Sequence, residues 1–470
     1  MKSFLLYAFL FSGILFSQTR VLHLDYIQFE NKVLENYPLI HEKKLEIKKQ
    51  KLKVRDVKTS AILPKFELNL GMGPAPGLNV SVDKKYLQTS GADDSSRWIE
   101  ESNRNYDFLN WGPTFGLSAK AVQPLNIYRF QAGLNAAKLN VEVAELAHYK
   151  HKIKVSLEAQ EIYYGYLYAK KMKIETAKAM KDFKDAEEKI EEMLDDEVES
   201  INQKDLLKLK ANRHKLEKGY NQSMTGFSRA LMGAHFYLFL PDSVEFSPAD
   251  SVLVQSTIEL PPLDSLKLVA LKSHPDLRRL ENGIEARREL IKVAKGELGP
   301  DIFLFGGFEY TKTWSPDRES GGKDAFTKDP LNDLYGYGGL GIRVSLNFWS
   351  RFQKFKTQRI ELNMLKRKEV YAARGILILL EEAWLKYLEA KANLKSSSNS
   401  LRAAEAWLKG AAMDYDLDPS LAKEMITPYK ETLYTKKDYF EAIFQYNMAI
   451  GEVIAATGWT LSDYLSKVSK

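Results

Sequence analysis

The feature that most constrains this 470-residue chain is that its second half repeats its first. Tyr166-Leu-Tyr-Ala-Lys170 returns as Tyr387-Leu-Glu-Ala-Lys391, and Arg129-Phe-Gln131 returns as Arg351-Phe-Gln353. The strand-like Gly116-Leu-Ser-Ala-Lys-Ala-Val122 returns as Gly341-Ile-Arg-Val-Ser-Leu-Asn347. Asn36-Tyr-Pro38 heads a helical stretch that stops before Pro64, and Ser273-His-Pro275 heads one that stops before Pro300. The echoes keep one order at a spacing of roughly 220–240 residues, the mark of a duplicated structural unit. We therefore place a first repeat at 18–262 and a second at 263–470.

Each repeat reads as helix, strand, loop, strand and a long helical hairpin. In the first, strands are expected at about 64–71 and 112–125, a hairpin at about 126–235 and a linker at 236–262. In the second, strands are expected at about 301–311 and 337–349 and a hairpin at about 351–458. Proline stops the leading helix in both. Gly, Ser, Asp and Pro then mark loops at about 71–111 and 312–336. Lys65–Leu70 and Gly341–Phe348 alternate apolar with polar, the period of a half-buried strand. Val155, Ala159, Ile162, Tyr166 and Ala169 instead step by four and three, as do Ile376, Leu380, Ala383, Tyr387, Ala390 and Leu394. That is a coiled-coil seam. No proline interrupts Arg129 to Leu194, so one helix there reaches about 100 Å at 1.5 Å per residue.

Four short strands cannot close on themselves, because even small membrane barrels need about eight. Open edges beside an apolar face invite aggregation in water and are not tolerated in lipid. Several copies lending four strands each to one barrel remove the difficulty. Such a barrel wants aromatic girdles at strand ends, and Trp111, Phe115, Tyr310, Trp314, Tyr337, Phe348 and Trp349 are the candidates. The inward set would be Glu67, Asn69, Ser118, Lys120, Arg343, Ser345 and Asn347. The alternative for these is the wet face of a soluble sheet.

This arrangement resembles the TolC-type outer-membrane efflux family along essentially the whole mature chain. The resemblance is carried by the two helix starts before Pro38 and Pro275, the strand starts after Pro64 and Pro300, Gln123-Pro-Leu125 and Lys204-Asp-Leu-Leu207. It is also carried by the closing helix Glu431–Asn447 with Ala456-Thr-Gly458. It implies a mainly α fold with a membrane β-barrel. Three copies would share a twelve-stranded barrel in outer-membrane lipid, on a coiled-coil tunnel of twelve helices. It further implies a passive homotrimeric duct for efflux or type I secretion, fed by a periplasmic adaptor and an inner-membrane transporter.

The sequence departs from the family at the hairpin tips. Neither the Leu194–Asn202 tip nor the second tip, with Asp414, Asp416 and Asp418, contains glycine. The positions where the family often carries gating aspartates hold Met425 and Pro428, with Glu424 the nearest acid. Asp205 matches the family's acidic residue after the first tip and is the remaining gate candidate. The acidic tips, Asp195 and Asp418 among them, suit an adaptor with basic contacts.

Residues 1–17 read as a secretory signal: Lys2, an apolar run from Phe4 to Phe16, then Ser17. That run is too short to span a bilayer, which takes about 20 residues. The balance of 68 basic against 62 acidic residues, net +6, gives no case for nucleic acid. Cysteine is absent, which excludes disulfides and thiol catalysis. His148 and His151 share a helix face without a third ligand at a familiar spacing, and Gly321-Gly-Lys323 lacks the rest of a phosphate loop. No cofactor and no enzymatic constellation is expected. A second class remains, an exported coiled-coil scaffold or tether without a pore, which accounts for the helices but not for the strands.

Overall fold

A computed structural model of the chain describes residues 20–86, 98–196, 202–241, 244–314, 333–417 and 424–468. The expected signal at 1–17 lies outside the described residues. The chain forms two compact units, one of Met1–Lys49, Val141–Ile284 and Met364–Lys470, the other of Gln50–Asn140 and Glu285–Asn363.

The first unit is mainly helical. It holds α1 (Tyr26–Asn36), the start of α2 (Pro38–Ile62), most of α3 (Ile127–Asp195), α4 (Gln203–Leu238), α5 (Leu263–Ser273), the start of α6 (Pro275–Gly296), most of α7 (Phe348–Leu417), α8 (Ile426–Ala456) and α9 (Leu461–Val468). The repeat is visible in how the helices break. Tyr37 and His274 both sit extended, at ψ 122° and 126°, each between two helices and each before a proline. The proline ring disfavours helical backbone in the residue before it, so one helix must end there and another begin. Each capping residue still returns its N–H to the preceding helix, Tyr37 to Val33 O at 2.9 Å and His274 to Ala270 O at 3.0 Å.

Of the seam residues, Val155, Ala159, Tyr166, Ile376, Leu380, Ala383, Tyr387, Ala390 and Leu394 are buried, packed with Phe29, Val33, Ile40, Tyr163, Leu238 and Ile450 in one core, while Ile162 and Ala169 are half-buried. Gly458, at φ +91°, is fixed by space as well as backbone: a Cβ there would lie 2.7 Å from Pro275 Cδ.

The expected linker 236–262 is not plain connection. It contains β4 (Val244–Pro248), which pairs in parallel with β1 (Arg20–Leu24). The chain beyond β4 is held like a strand by buried Asn447, whose carboxamide accepts from Ser256 N and donates to Val254 O, both at 2.9 Å. At the other end of the chain α9 meets a buried acid. Glu30 is 0 % exposed and accepts hydroxyl hydrogen bonds from Ser156 on α3 and Ser462 on α9. Burial pushes its carboxyl above the usual range.

The second unit is built on a four-stranded antiparallel sheet in the order β2-β3-β5-β6, from β2 (Lys65–Tyr86), β3 (Trp98–Pro124), β5 (Asp301–Thr313) and β6 (Asp333–Arg343). Two expectations fail here. The first loop was expected at 71–111, yet β2 runs on to Tyr86 and β3 begins at Trp98, the two paired with one register shift after Pro76. Gly and Pro within 71–77 read as turn residues, but here they lie inside an extended ribbon and mark its irregularity. The last strand was expected to reach 349, yet it ends at Arg343. Its partner β5 starts at Asp301, and Pro300 before it has no N–H to continue a ladder.

Candidate functional site

Register assigns every strand side chain to a face, because directly paired residues in antiparallel strands share one. One row reads Glu67–Lys120–Gly307–Tyr337 across the four strands, and the next reads Asn69–Ser118–Glu309–Tyr335. The adjoining rows read Lys65–Val122–Phe305–Gly339 and Pro124–Phe303–Gly341, with Asp301 opposite Arg343. This is a polar face. The opposite face carries Phe66, Leu68, Leu70, Met72, Ile302, Leu304, Phe308, Tyr310, Leu334, Leu340 and Ile342. These are exposed, Phe66 by 77 % and Leu340 by 66 %. An apolar face this large and this open on one sheet needs a covering.

Of the expected inward set, Glu67, Asn69, Ser118, Lys120 and Arg343 lie together on the polar face, and Asn69 Nδ2 donates to Ser118 Oγ at 3.4 Å. Ser345 and Asn347 do not join them. They follow the end of β6 and belong to the turn into α7. Of the expected aromatics, Trp111, Phe115 and Tyr310 alternate onto the apolar face, with Trp314 next in phase after β5. Phe115 and Tyr310 meet edge to face at 6.5 Å, and Trp111 Nε1 donates to Phe108 O at 2.9 Å. Tyr337 is a correction: it stands on the polar face opposite Gly307. Phe348 and Trp349 are another, since they open α7 as exposed helical residues rather than closing a strand.

Where the strands meet the helices, the repeated arginines converge. Arg129 Nη1 lies 2.6 Å from Asp301 Oδ1, and Arg351 Nη2 lies 3.6 Å from Asp301 Oδ2. Asn126 Nδ2 also donates to Asp301 at 3.1 Å. Charge-assisted bonds of this kind fix direction as well as contact.

At the hairpin ends, Phe183, Ile190 and Leu209 form a small core with Ile426 and Tyr429 against it. Tyr429 donates its hydroxyl to Asp182 at 2.5 Å, and burial beside that carboxylate pushes the phenol well up. Glu187 is held by Arg213 at 2.6 Å and Lys210 at 3.6 Å, and Lys210 reaches Glu191 at 2.7 Å. The sequence reading missed all of these, because such cross-helix pairs show only once the hairpin offset is known. Asp205 serves the start of α4: its carboxylate accepts from Asn202 N at 3.4 Å in a capping box. Asp414 and Glu424 are exposed flanks of the second tip, and Asp416 falls in the last turn of α7. Asp418 lies outside the described residues.

Among the described residues no group of three or more His, Cys, Asp or Glu gathers as a metal site, and no helix is long and apolar enough to cross a membrane. Burial and nearby lysines hold His148 and His151 below the usual histidine range.

No family model matches the sequence, and no curated protein matches it either. Solved structures do match. The outer-membrane channel OprN aligns at 15 % identity over 94 % of this chain and 93 % of its own, with a TM-score of 0.67. The CmeC outer membrane channel of Campylobacter jejuni aligns at 14 % identity over 95 % and 89 %, with a TM-score of 0.65. The MtrE outer membrane channel of Neisseria gonorrhoeae, in its open state, aligns at 12 % identity over 93 % and 89 %, with a TM-score of 0.65. With its duplicated hairpins and its four-stranded sheet, the chain has the TolC-type outer-membrane channel fold.

Proposed function

We propose that the chain is one subunit of an outer-membrane channel, a passive duct in which copies join β6 of one to β2 of the next. The observation that carries this is the sheet itself: one face exposed and apolar, the other polar, with β2 and β6 as its edge strands among the described residues. From Ile302 to Trp314 the apolar face runs about 40 Å along β5 at about 3.3 Å per residue. A tilt of about 45° brings that to about 28 Å, close to the apolar band of about 25 Å on outer-membrane barrels. The polar face, with Glu67, Asn69, Ser118, Lys120 and Arg343, then lines water.

The helices support assembly independently. On α7 a second stripe, Met364, Tyr371, Ile378 and Leu385, recurs every seventh residue and is exposed, while the Ile376–Leu394 seam on the same helix is buried. A seven-residue apolar stripe left open on a long helix fits another helix. Three copies give twelve strands, and the homotrimer is the assembly we propose. Residues 1–17 would export the chain, and the helical hairpins would reach into the periplasm. There the acidic tips would meet a periplasmic adaptor and, through it, an inner-membrane transporter. The reading assigns the chain no chemical step. The cargo is a small molecule or a protein passing through an efflux or type I secretion system.

Carbonate extraction followed by planar-bilayer recording tests this. The expected result is retention with the outer membrane, trimeric mass in detergent and stepwise conductance. Release by carbonate as a monomer without conductance would establish the coiled-coil scaffold instead.

A further inference from the structure

We infer that the polar face of the sheet carries a stacking track for planar aromatic solutes, made by Phe303, Phe305, Tyr337 and Tyr335. This rests on the channel reading above, in which that face lines the pore.

The four rings form an unbroken series. Ring centroids lie 5.8 Å apart from Phe303 to Phe305, 6.3 Å from Phe305 to Tyr337 and 6.1 Å from Tyr337 to Tyr335. Every step falls in the range where aromatic rings attract one another. The series crosses from β5 to β6 between its second and third members.

Glycines make room for it. A Cβ at Gly341 would lie 2.5 Å from the Phe303 ring, one at Gly339 would lie 3.4 Å from Phe305, and one at Gly307 would lie 3.0 Å from Tyr337. Rings laid over strand glycines brace a sheet, and bracing explains three of the four. It does not explain Tyr335, which stands opposite Glu309 and donates its hydroxyl to it. Nor does it explain why the rings are only half-buried, each leaving surface open to whatever fills the pore.

The neighbouring strands sharpen the contrast. On the same face, in the rows level with the rings, β2 and β3 offer Lys65, Glu67, Asn69, Ser118, Lys120, Val122 and Pro124, with no aromatic ring among them. The rings are therefore confined to β5 and β6, flanked on β3 by Val122 and Pro124 and beyond them by a charged and hydroxylated lining. The ends of the track carry opposite charges, with the Arg343 guanidinium 4.9 Å from the Phe303 ring and Glu309 beside Tyr335. Mixed charge favours neither sign of solute. What the strip selects is a flat π-face, which stacks on each ring in turn with similar energy and tolerates varied substituents.

Single-channel recording of the full-length assembly tests this with naphthalene-2-sulfonate and its fully saturated counterpart, which share charge and approximate size. The aromatic probe is expected to dwell about tenfold longer than the saturated one, given stacking of one to two rings. A triple variant, Phe303→Leu with Phe305→Leu and Tyr337→Leu, keeps an apolar cover over each glycine and should erase the difference. Tyr335→Leu alone covers no glycine and should reduce the difference about twofold.

Equal dwell times in a conducting wild-type channel would overturn the track while leaving the channel standing. So would a conducting Tyr335→Leu and triple variant that both retain the full difference. Absence of any conductance would remove the channel reading and the track together.

Discussion

The two repeats agree in their longest helices and disagree in their strands. Helix α3 has 69 residues and α7 has 70, whereas β2 and β3 have 22 and 27 against 13 and 11 for β5 and β6. A long helix with buried residues spread over several turns, as from Val155 to Ile190 on α3 and from Ile376 to Ala404 on α7, cannot lose a turn without losing the match of every contact beyond it. A two-stranded ribbon that outruns its sheet answers only to itself. Length is conserved between the halves only where packing demands it.

The largest expected effect breaks that symmetry outright. Deleting residues 173–179 from α3 alone keeps the seven-residue phase but draws Phe183 and Ile190 out of line with Leu209 and Tyr429. Oligomer assembly, read by sizing in detergent, should be lost. Removing 78–106 from the β2–β3 ribbon should leave it intact. Loss in both would mean that the ribbon is also held by packing.

Next is the contrast between the faces of one strand. Phe308→Arg places a charge midway along the apolar face and should cost about 2–4 kcal/mol per copy, as at the midplane of a bilayer. Ser118→Arg on the polar face should cost little. Folding titrations into lipid distinguish them, and equal penalties would contradict the assignment of faces.

Glu30 tests an asymmetry of the helical unit. Counting back from Tyr37 and His274 alike, its counterpart is Lys267, which forms an ion pair with Glu381 at 2.5 Å near the surface. Only Glu30 is sealed in, by α9, an element that the first repeat lacks. Glu30→Ala strands the buried Ser156 hydroxyl and the half-buried Ser462 hydroxyl and should cost about 2–3 kcal/mol, while Glu30→Gln should cost less. Because burial raises the folded carboxyl above its unfolded value, its contribution is full below about pH 4.3 and is lost as pH rises through the raised value. Glu30→Gln should therefore flatten the melting temperature against pH above about 4.3; an unchanged slope would contradict this.

The smallest effect concerns Asp301, whose counterpart after Pro64 is Lys65, so that one acid serves both repeated arginines. The site is partly exposed and screened. Asp301→Asn should cost about 1 kcal/mol. In the Asp301→Asn background Arg129→Lys should lose more of its effect than Arg351→Lys, because Arg351 lies 3.6 Å from Asp301 against 2.6 Å for Arg129 and also donates to Glu297 O at 2.5 Å. Denaturant melts of the three variants, and of each arginine variant combined with Asp301→Asn, check the order.

Much of this was legible in the sequence. The seams of α3 and α7 show because a period near 3.5 is written in the residues themselves. The helix breaks show because proline dictates its neighbour's backbone. The polar face was legible for Glu67, Asn69, Ser118 and Lys120, which alternate cleanly. It failed for Ser345 and Asn347, which also alternate, because alternation says what a strand would do and not where its partner stops. It failed again for the aromatic series. Ile302 to Phe305 are all apolar, so alternation is silent there, and only register sets Phe303 and Phe305 over Gly341 and Gly339. The long ribbon was hidden by its own Gly and Pro, which are turn-formers until a facing strand pairs with them.

The order β2-β3-β5-β6 alternates direction and begins and ends with opposite senses. Copies set side by side therefore meet up-strand to down-strand however many gather, and the seam between molecules is no different in kind from the seams within one. A sheet with that property cannot count. In the assembly proposed above it would accept a pair or a quartet as readily as a trio, so the tally there would fall to the helices, through the outer stripe of α7.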